Sequence, residues 1–290
     1  MINKLLGRKF NSGISTIIEE VTNIIGTTSI QKAQIFHRHL IKKMRVAVNH
    51  VFPNFPLRTN QVLTSFVTDP QEILSLLRDL PSGKATGPDK ISHEMIKLCS
   101  DELAVPLSRL FNRLLENNLF PIDWKNGDVS MIYKKLSKSK CCNYRPITLL
   151  NSLSKVYERV IYSRMSSFLL RNNLIYNLQS GFLKGHSCTM QLVSIVHYLK
   201  SEIHKGNNVR TVFLDLAAAF DTVPHSLLLH KAKSYGFSED ILSLLKSYLT
   251  NRKIRISVNG SLSDYSLPGQ INAGVPQGSI LGSLLFLFIY

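Results

Sequence analysis

An apolar segment that ends in an acidic residue constrains this chain more than any other feature. The segment Thr211-Val212-Phe213-Leu214 is followed directly by Asp215. It predicts a buried β-strand that brings the carboxylate to a strand end. A carboxylate is costly to bury unless a cation or hydrogen-bond donors compensate its charge. Two explanations therefore stay open for the acidic residue: it caps the turn or helix that follows, or it binds a cation.

The charge of the chain favours a polyanionic partner. Its 290 residues carry 35 Lys and Arg against 19 Asp and Glu, a formal net charge of +16. Such an excess is typical of proteins that bind nucleic acid, although a solvated basic surface without a partner has the same charge. The four cysteines show no C-x-x-C pair, so we expect a reduced intracellular protein. No signal peptide and no apolar run of the roughly 20 residues that span a bilayer is visible, so we expect no membrane partner.

Periodicity predicts a helix-rich chain with few strands. The helix signals agree best at residues 69–81, where Asp69 can cap and Pro70 suits the first helical position. Strands are predicted at 128–135 and 208–216, and residues 253–267 predict a hairpin around an Asn-Gly turn. The helices and strands do not alternate regularly, which predicts an α+β fold with a small antiparallel sheet.

A second candidate for ligand binding, besides the segment that ends at Asp215, is the stretch GVPQGSILG at residues 274–282. Gly274 and Gly278 have no Cβ, so backbone there could come close to a ligand. Gln277 offers both a donor and an acceptor, which suits a sugar or a base edge. A plain turn into a helix would need no ligand and is the alternative for this stretch.

Together these stretches resemble a known family. FLDLAAAFDTVPH and GVPQGSILG are similar to the first two palm motifs of reverse transcriptases from non-LTR retrotransposons. INKLLGRKFNSGI, at the start, resembles the connector between endonuclease and polymerase in such elements. Four further stretches match the same family in the same order: SGKATGPDKIS, MIYKK…NYRPITLLNSLSKVYERVI, QSGFLKGHSCTMQL and RKIRISVNGSLS.

The resemblance implies a right-hand polymerase, present as fingers and partial palm. Residues 1–68 would form a partly helical connector region, residues 69–208 a fingers-like region and residues 209–290 the partial palm. The implied activity is RNA-directed DNA polymerisation. The implied partners are an RNA template, a DNA primer and deoxynucleoside triphosphates. The sequence gives no indication of oligomeric state.

The resemblance also implies a metal site. Asp215 would bind Mg²⁺ with help from the backbone carbonyl of Leu216. Polymerases use two Mg²⁺ ions about 4 Å apart, held by hard oxygen ligands, and one carboxylate cannot hold both. The family takes further ligands from a later Asp-Asp turn, and no Asp-Asp pair occurs here. We expect that partner to lie outside this chain, which would then be truncated before the third palm motif. We expect Asp221 to cap the next helix.

The implied nucleotide-binding residues come from three motifs. Arg145 would reach the triphosphate as a forked donor. A lysine at the end of the preceding strand would act as a point charge, either Lys134 or the equally plausible Lys135. Phe220 would be the steric gate beneath the sugar. Gln277 and Gly278 would shape the pocket of the incoming nucleotide.

Two alternatives to an intact polymerase stay open. Without the Asp-Asp motif we expect this chain alone to be inactive. It could be a catalytically inactive fragment that binds RNA or an RNA–DNA hybrid through its basic residues, with phosphate contacts that make binding sensitive to salt. It could also be a decayed remnant that folds poorly. The basic residues that would form the binding surface are Lys125, Lys134, Lys135, Lys138, Lys140, Arg145, Arg252, Lys253 and Arg255.

Overall fold

The computed structural model describes residue 14 and residues 16–20, 22–47 and 51–287. The expected connector motif at residues 2–14 lies outside this part, apart from its last residue. The α-helices described are α1 (Ser29–Lys43), α2 (Pro70–Arg78), α3 (His93–Leu98), α4 (Ser100–Glu116), α5 (Ser152–Arg171), α6 (Cys188–His204), α7 (His225–Ser234), α8 (Glu239–Leu249) and α9 (Ile280–Leu287). The strands described are β1 (Ile17–Ile18), β2 (Ile25–Gly26), β3 (Asn126–Tyr133), β4 (Tyr144–Leu149), β5 (Lys253–Val258) and β6 (Ser261–Leu262). The content is mixed α and β, as predicted.

The helix starts follow local sequence signals. At α2, the Asp69 side chain accepts a hydrogen bond of 2.9 Å from the backbone N–H of Glu72, and Pro70 occupies the first turn. This confirms the predicted cap, which satisfies one of the N–H groups that a helix start leaves free. At α1, Thr28 and Gln31 form a reciprocal capping box.

Most helices enclose one aromatic core. The rings of Phe111 and Tyr157 lie 5.0 Å apart, and those of Phe120 and Tyr248 also lie 5.0 Å apart. Each of these side chains belongs to the larger cluster of buried residues, which joins α2, α4, α5, α7, α8 and α9. Burial of such large rings dominates core stability. The core fixes α5 and α9 against each other, which matters for the loop that precedes α9.

The main sheet has four strands in the order β4-β3-β5-β6. β4 pairs with β3 and β6 pairs with β5 in antiparallel fashion, but β3 and β5 are parallel, with Val129 opposite Ile256. The prediction of an antiparallel sheet is therefore wrong for the central pair. Parallel neighbours need a crossover between them, and here the crossover contains four helices, α5 to α8. One face of the sheet packs on α1, where Phe36 meets Tyr144 edge to face at 4.9 Å.

The β5–β6 connection is the predicted two-residue turn. Asn259 and Gly260 both have positive φ, 49° and 83°. A type I′ turn requires positive φ at both central residues, and Asn-Gly adopts it readily. Val258 pairs with Ser261 directly beside the turn, which confirms the predicted hairpin.

The predicted strand at 208–216 is absent, which corrects the sequence interpretation. This segment has no regular secondary structure. Val212, Phe213 and Leu214 are 78%, 83% and 91% exposed. A strand needs neighbouring backbone to satisfy its N–H and C=O groups, and no described strand pairs with this segment. Side-chain pattern alone cannot supply that neighbour.

None of the described helices is both long and apolar enough to cross a membrane.

Candidate functional site

The loop at residues 274–279 connects two distant parts of the chain. The backbone N–H of Thr148, in β4, donates to the carbonyl of Gln277 at 2.8 Å. On the other side, the N–H of Val275 donates to the carbonyl of Phe220, also at 2.8 Å. The loop is therefore held between β4 and the turn that follows Asp215.

Two glycines permit this close packing. Gly278 has φ of +135°, and a Cβ there would lie 2.3 Å from the carbonyl oxygen of Thr148. Gly274 has φ of +86°, and its Cβ would lie 2.8 Å from the carbonyl oxygen of Asp221. Positive φ and these distances both require glycine. Because these glycines have no side chain, the backbone of Thr148 and Asp221 packs against them in this structure. The sequence had suggested that a ligand would take this space.

A buried carboxylate, Glu158 of α5, fixes the helix that follows the loop. One of its oxygens accepts hydrogen bonds from the N–H groups of Ile280 (2.7 Å) and Leu281 (3.1 Å) at the start of α9. Complete burial raises the pKa of Glu158, while these two N–H donors and the charge of Arg252 oppose that rise. Sequence reasoning missed this residue. The available signal was an acidic residue on the same helical face as Ile161.

Two further side chains hold the loop. The Tyr248 hydroxyl donates to Ser279 Oγ at 2.9 Å, and that oxygen accepts the N–H of Gly282 at 2.9 Å. His225 Nε2 lies 2.7 Å from the carbonyl oxygen of Gly274. Burial lowers the pKa of His225 to about 4. The ring is neutral at pH 7, so Nε2–H donates to this carbonyl.

The two predicted phosphate-binding cations lie at the same end of the sheet. Arg145 is exposed on β4, opposite Ile132 of β3. Lys134 follows β3 directly; it is exposed, and its N–H donates to the Asn143 carbonyl at 2.8 Å. Residues opposite each other, and those two apart along a strand, share a face of the sheet. Arg145 and Lys134 therefore share one face. Lys135 is also exposed, so the choice between the two lysines stays open.

Gln277 lies in this loop, and the Phe220 carbonyl accepts a hydrogen bond from it. The backbone of half-buried Gln277 is bonded to Thr148, and Arg145 lies on the same strand three residues, roughly 10 Å, before Thr148. The Phe220 ring stacks on Phe286 with centroids 4.6 Å apart and planes 4° from parallel. The structure thus brings Arg145, Gln277, Gly278 and Phe220 around one loop, with the Phe220 ring packed in an aromatic cluster.

Asp215 takes no part in the hydrogen bonds that hold this loop. It is exposed, as is Leu216, and the segment that carries them has no regular structure. No hydrogen bond or ion pair joins the Asp215 carboxylate to another described residue. The described residues also contain no group of three or more His, Cys, Asp or Glu side chains that could hold a metal ion. One carboxylate and one backbone carbonyl do not complete a two-ion Mg²⁺ site, so the donors present do not fit that site by themselves.

Asp221 does not cap a helix, contrary to the prediction. The residue at the cap position of α7 is Pro224, and no side chain accepts a hydrogen bond there. Asp221 is instead only 6% exposed. Burial raises the pKa of its carboxyl group, and the charge of Lys43 partly offsets that effect. Its backbone carbonyl lies against Gly274, so the turn is packed on the loop and its side chain cannot reach the helix start.

Comparison with known proteins assigns the family. A model described as reverse transcriptase (RNA-dependent DNA polymerase) matches residues 132–290, more than half of the chain. The chain belongs to the reverse transcriptase family. The matched residues include β4, the loop at 274–279 and Asp215. Within the family, the chain is similar to curated RNA-directed DNA polymerases of LINE-type, non-LTR transposons.

Three fruit-fly relatives illustrate the similarity. The chain is 34% identical over 217 residues to a probable RNA-directed DNA polymerase from transposon BS of Drosophila melanogaster, covering 74% of this chain and 24% of that protein. It is 35% identical over 217 residues to the polymerase from the mobile element jockey of the same species, covering 74% and 23%. Its identity to the probable polymerase from transposon X-element is 30% over 269 residues, covering 89% and 29%. The chain thus matches about a quarter of the length of these relatives.

Proposed function

We propose that this chain forms the fingers and part of the palm of an RNA-directed DNA polymerase from a non-LTR retrotransposon. Residues 1–68 would be the connector region, residues 69–208 the fingers-like region and residues 209–290 the partial palm. The reaction is addition of deoxynucleotides to a DNA primer on an RNA template by phosphoryl transfer with two metal ions. Family membership supports the reaction class, and the loop geometry supports the location of the site.

One observation carries the assignment of the site. Hydrogen bonds on both sides of the loop at 274–279 tie Gln277 to β4 and Val275 to Phe220. Thr148 and Gln277, which are about 130 positions apart in sequence, are therefore bonded to each other, and Arg145 lies three residues before Thr148 on the same strand. A nucleotide needs this combination, because its phosphates require cations and its sugar and base require an uncharged donor and acceptor.

Each residue then has a defined role. The exposed Arg145 guanidinium and a lysine at the end of β3, Lys134 or Lys135, bind the triphosphate. Gln277 and Gly278 line the sugar and base side. Phe220 limits the space beneath the sugar and excludes a 2′-hydroxyl. Of these, Arg145 and the lysines are already accessible to a triphosphate.

The proposed metal site uses Asp215 and the carbonyl of Leu216 as its first donors for Mg²⁺. Both are exposed and supply the hard oxygen atoms that Mg²⁺ prefers. Two ions need further carboxylates. Because the sequence has no Asp-Asp pair, we propose that they come from outside these 290 residues.

A second candidate function is binding of an RNA–DNA hybrid without catalysis. It is favoured by the exposed basic side chains at residues 134–145 and by the exposure of Asp215, whose carboxylate has no bonded partner among the described residues. Lys138 already lies over the Tyr133 ring at 5.4 Å, a pairing of cation and aromatic face that also binds bases and phosphates. Such a fragment would bind hybrid in a salt-dependent way but would not extend a primer.

Hybrid binding tests the location of the surface. Fluorescence anisotropy with a labelled RNA–DNA hybrid is measured across a salt series for the wild type and for Arg145→Gln. Loss of one phosphate contact should weaken binding and reduce the salt slope by about 1. Arg109→Gln is the matched control, because Arg109 is exposed on α4 and forms no hydrogen bond or ion pair with the described residues. Equal effects of the two substitutions would contradict the assigned surface.

Primer extension tests the proposed metal site. The chain is incubated with a primed RNA template, deoxynucleotides and Mg²⁺, and Asp215→Asn is compared with Asp264→Asn, a change at another exposed aspartate. Because the proposal takes further carboxylates from outside these 290 residues, we expect no extension by the chain alone. Extension that needs Asp215 would contradict the proposal that further carboxylates are required from outside. Extension that survives Asp215→Asn would contradict the metal-binding role of Asp215.

A further inference from the structure

A small cavity lies behind the loop at 274–279, away from the exposed face that carries Arg145. Its volume is about 20 Å³, enough for one particle of roughly the size of a water molecule. The backbone of Gly274 to Pro276 forms one wall, and two cationic side chains, Lys125 and Arg252, form part of the others. The remaining lining residues are Met44, Gly127, Thr148, Leu150, Ile254, Ile271 and Ala273. No lining residue is acidic.

Arg252 leaves one hydrogen-bond donor unused. The side chain is 4% exposed, and its Nη1 donates to the Tyr248 carbonyl at 2.9 Å. Its guanidinium carbon also lies 4.9 Å from the centre of the Tyr248 ring. Its Nη2 is buried and has no hydrogen-bond partner among the described residues. A buried donor without a partner costs about 1–3 kcal/mol, and more when it is charged.

Lys125 brings a second positive charge to the same cavity. It is 7% exposed, at the end of the short 3₁₀ turn before β3. Lys125 and Arg252 are therefore buried, and the sequence-based expectation that both join the exposed binding surface is wrong. No hydrogen bond or ion pair engages its ammonium group within the described part of the chain. Burial and the charge of Arg252 both lower the pKa of Lys125. The two cations thus repel each other in a place where water is scarce.

The acidic group that interacts with Arg252 does not neutralise the two cations. Glu158 lies close enough to Arg252 for the arginine charge to favour its ionised form. However, its two oxygens already accept hydrogen bonds from Ile280, Leu281 and Ser154, and it does not line the cavity. One carboxylate outside the cavity also leaves one of the two positive charges without compensation. The charge of Arg252 also lowers the pKa of His225, but this ring is neutral at pH 7 and supplies no charge.

We propose that this cavity binds a single monatomic anion, a chloride ion under ordinary conditions, between Arg252 and Lys125. A volume of about 20 Å³ suits a monatomic ion better than phosphate, sulfate or a carboxylate. A water molecule would accept hydrogen bonds from the free donors but would not offset the positive charge of Arg252 and Lys125. A halide ion does both. The anion lies against the wall formed by Gly274, Val275 and Pro276, so its binding stabilises the loop that carries Gln277.

Bromide gives a direct test, because it is a halide that scatters anomalously. Crystals of the 290-residue chain are grown with bromide, and anomalous difference maps are calculated. We expect a bromide peak within hydrogen-bond distance of Arg252 Nη2 and of Lys125 Nζ. An ordered water at this position, with no anomalous peak, overturns the proposal.

Thermal melting provides a second test in solution. The wild type is melted in sodium chloride and in sodium gluconate at equal ionic strength, since gluconate is too large for the cavity. We expect a higher Tm in chloride, by roughly 2–4 °C at a tenfold excess over the dissociation constant. This difference should vanish in Lys125→Met and Arg252→Met. It should persist in Lys253→Met, which removes a neighbouring lysine that does not line the cavity.

The outcomes are decisive even if one variant does not fold. Arg252→Met also removes the hydrogen bond to Tyr248, so Lys125→Met and the bromide map are sufficient on their own. Equal melting of the wild type in the two salts contradicts the proposal. So does a chloride effect that Lys125→Met leaves intact, because that effect would arise elsewhere on this basic chain.

Discussion

Removal of the buried Glu158 carboxylate gives the sharpest test of how the loop at 274–279 is held. Two substitutions separate its hydrogen bonds from its charge. Glu158→Ala removes the acceptor for the N–H groups of Ile280 and Leu281 and leaves a void in the core. Glu158→Gln keeps one carbonyl oxygen in the same place, removes the charge, and replaces the oxygen next to Ser154 by an NH2 group that can donate to the Ser154 hydroxyl. Both bonds end on the same carboxylate oxygen, so one correctly oriented amide oxygen can replace it.

The expected costs follow from this geometry. A buried N–H that loses its partner costs about 1–3 kcal/mol, and two are affected, although Ile280 is only partly buried. We therefore expect Glu158→Ala to lower the free energy of unfolding by about 2–5 kcal/mol, cavity included. Burial raises the pKa of Glu158, which means that the ionised form is disfavoured there. A neutral amide avoids that penalty, so Glu158→Gln should cost less than about 1 kcal/mol.

Urea denaturation followed by circular dichroism measures both variants at pH 7. Glu102→Ala is the control, because Glu102 is exposed in the first turn of α4, and it should change stability by no more than about 0.5 kcal/mol. A Glu158→Ala protein as stable as Glu158→Gln would refute the reasoning. It would mean that these backbone donors find water or another acceptor, and that α9 does not depend on α5 for its position.

Three further outcomes are expected. Burial raises the pKa of Asp221, so its contribution to stability declines as pH rises above the unfolded value of about 3.9. Asp221→Asn should remove that decline in thermal melts and stabilise the protein at pH 7. Gly278→Ala would place a Cβ 2.3 Å from the Thr148 carbonyl oxygen and should lower Tm. Gly185→Ala, also at positive φ but with open space around it, should lower Tm much less. Burial raises the pKa of Cys141 to about 12, so mass spectrometry should find this thiol unmodified after brief iodoacetamide treatment of the folded protein.

The sequence predicted best where a local signal sufficed. The cap at Asp69, the proline at the start of α2 and the Asn-Gly turn were all confirmed, because each depends only on residues a few positions apart. These elements need no knowledge of distant neighbours.

The failures share a physical cause. The segment at 208–216 has the side chains of a buried strand, but a strand forms only where another backbone accepts its hydrogen bonds. Asp221 resembles a cap in sequence, yet the packing of its turn on Gly274 buries it away from α7. The parallel pairing of β3 with β5 could not be predicted, because it joins residues more than a hundred positions apart.

In the candidate site, too, some residues were predicted from the sequence and one was missed. Arg145, Gln277 and Phe220 were chosen through family resemblance, and the structure brings them around one loop, although their roles stay predictions. Glu158, which holds the helix after that loop, was missed because its partners are backbone N–H groups. Such partners leave no trace in the identity of the residues at 280–281.

The packing of α1 on β5 has a consequence for the order in which the chain folds during synthesis. α1 packs on β5, and Asn272 bonds to the backbone of Val46 on both its amide atoms. More than 200 residues therefore leave the ribosome before the apolar face of α1 meets the strand that covers it. Contacts of such long sequence separation fold slowly, and uncovered apolar surface attracts other nascent chains in the meantime. The helical residues from α2 to α5 can collapse earlier, so the order of synthesis favours a helical intermediate to which α1 is added late.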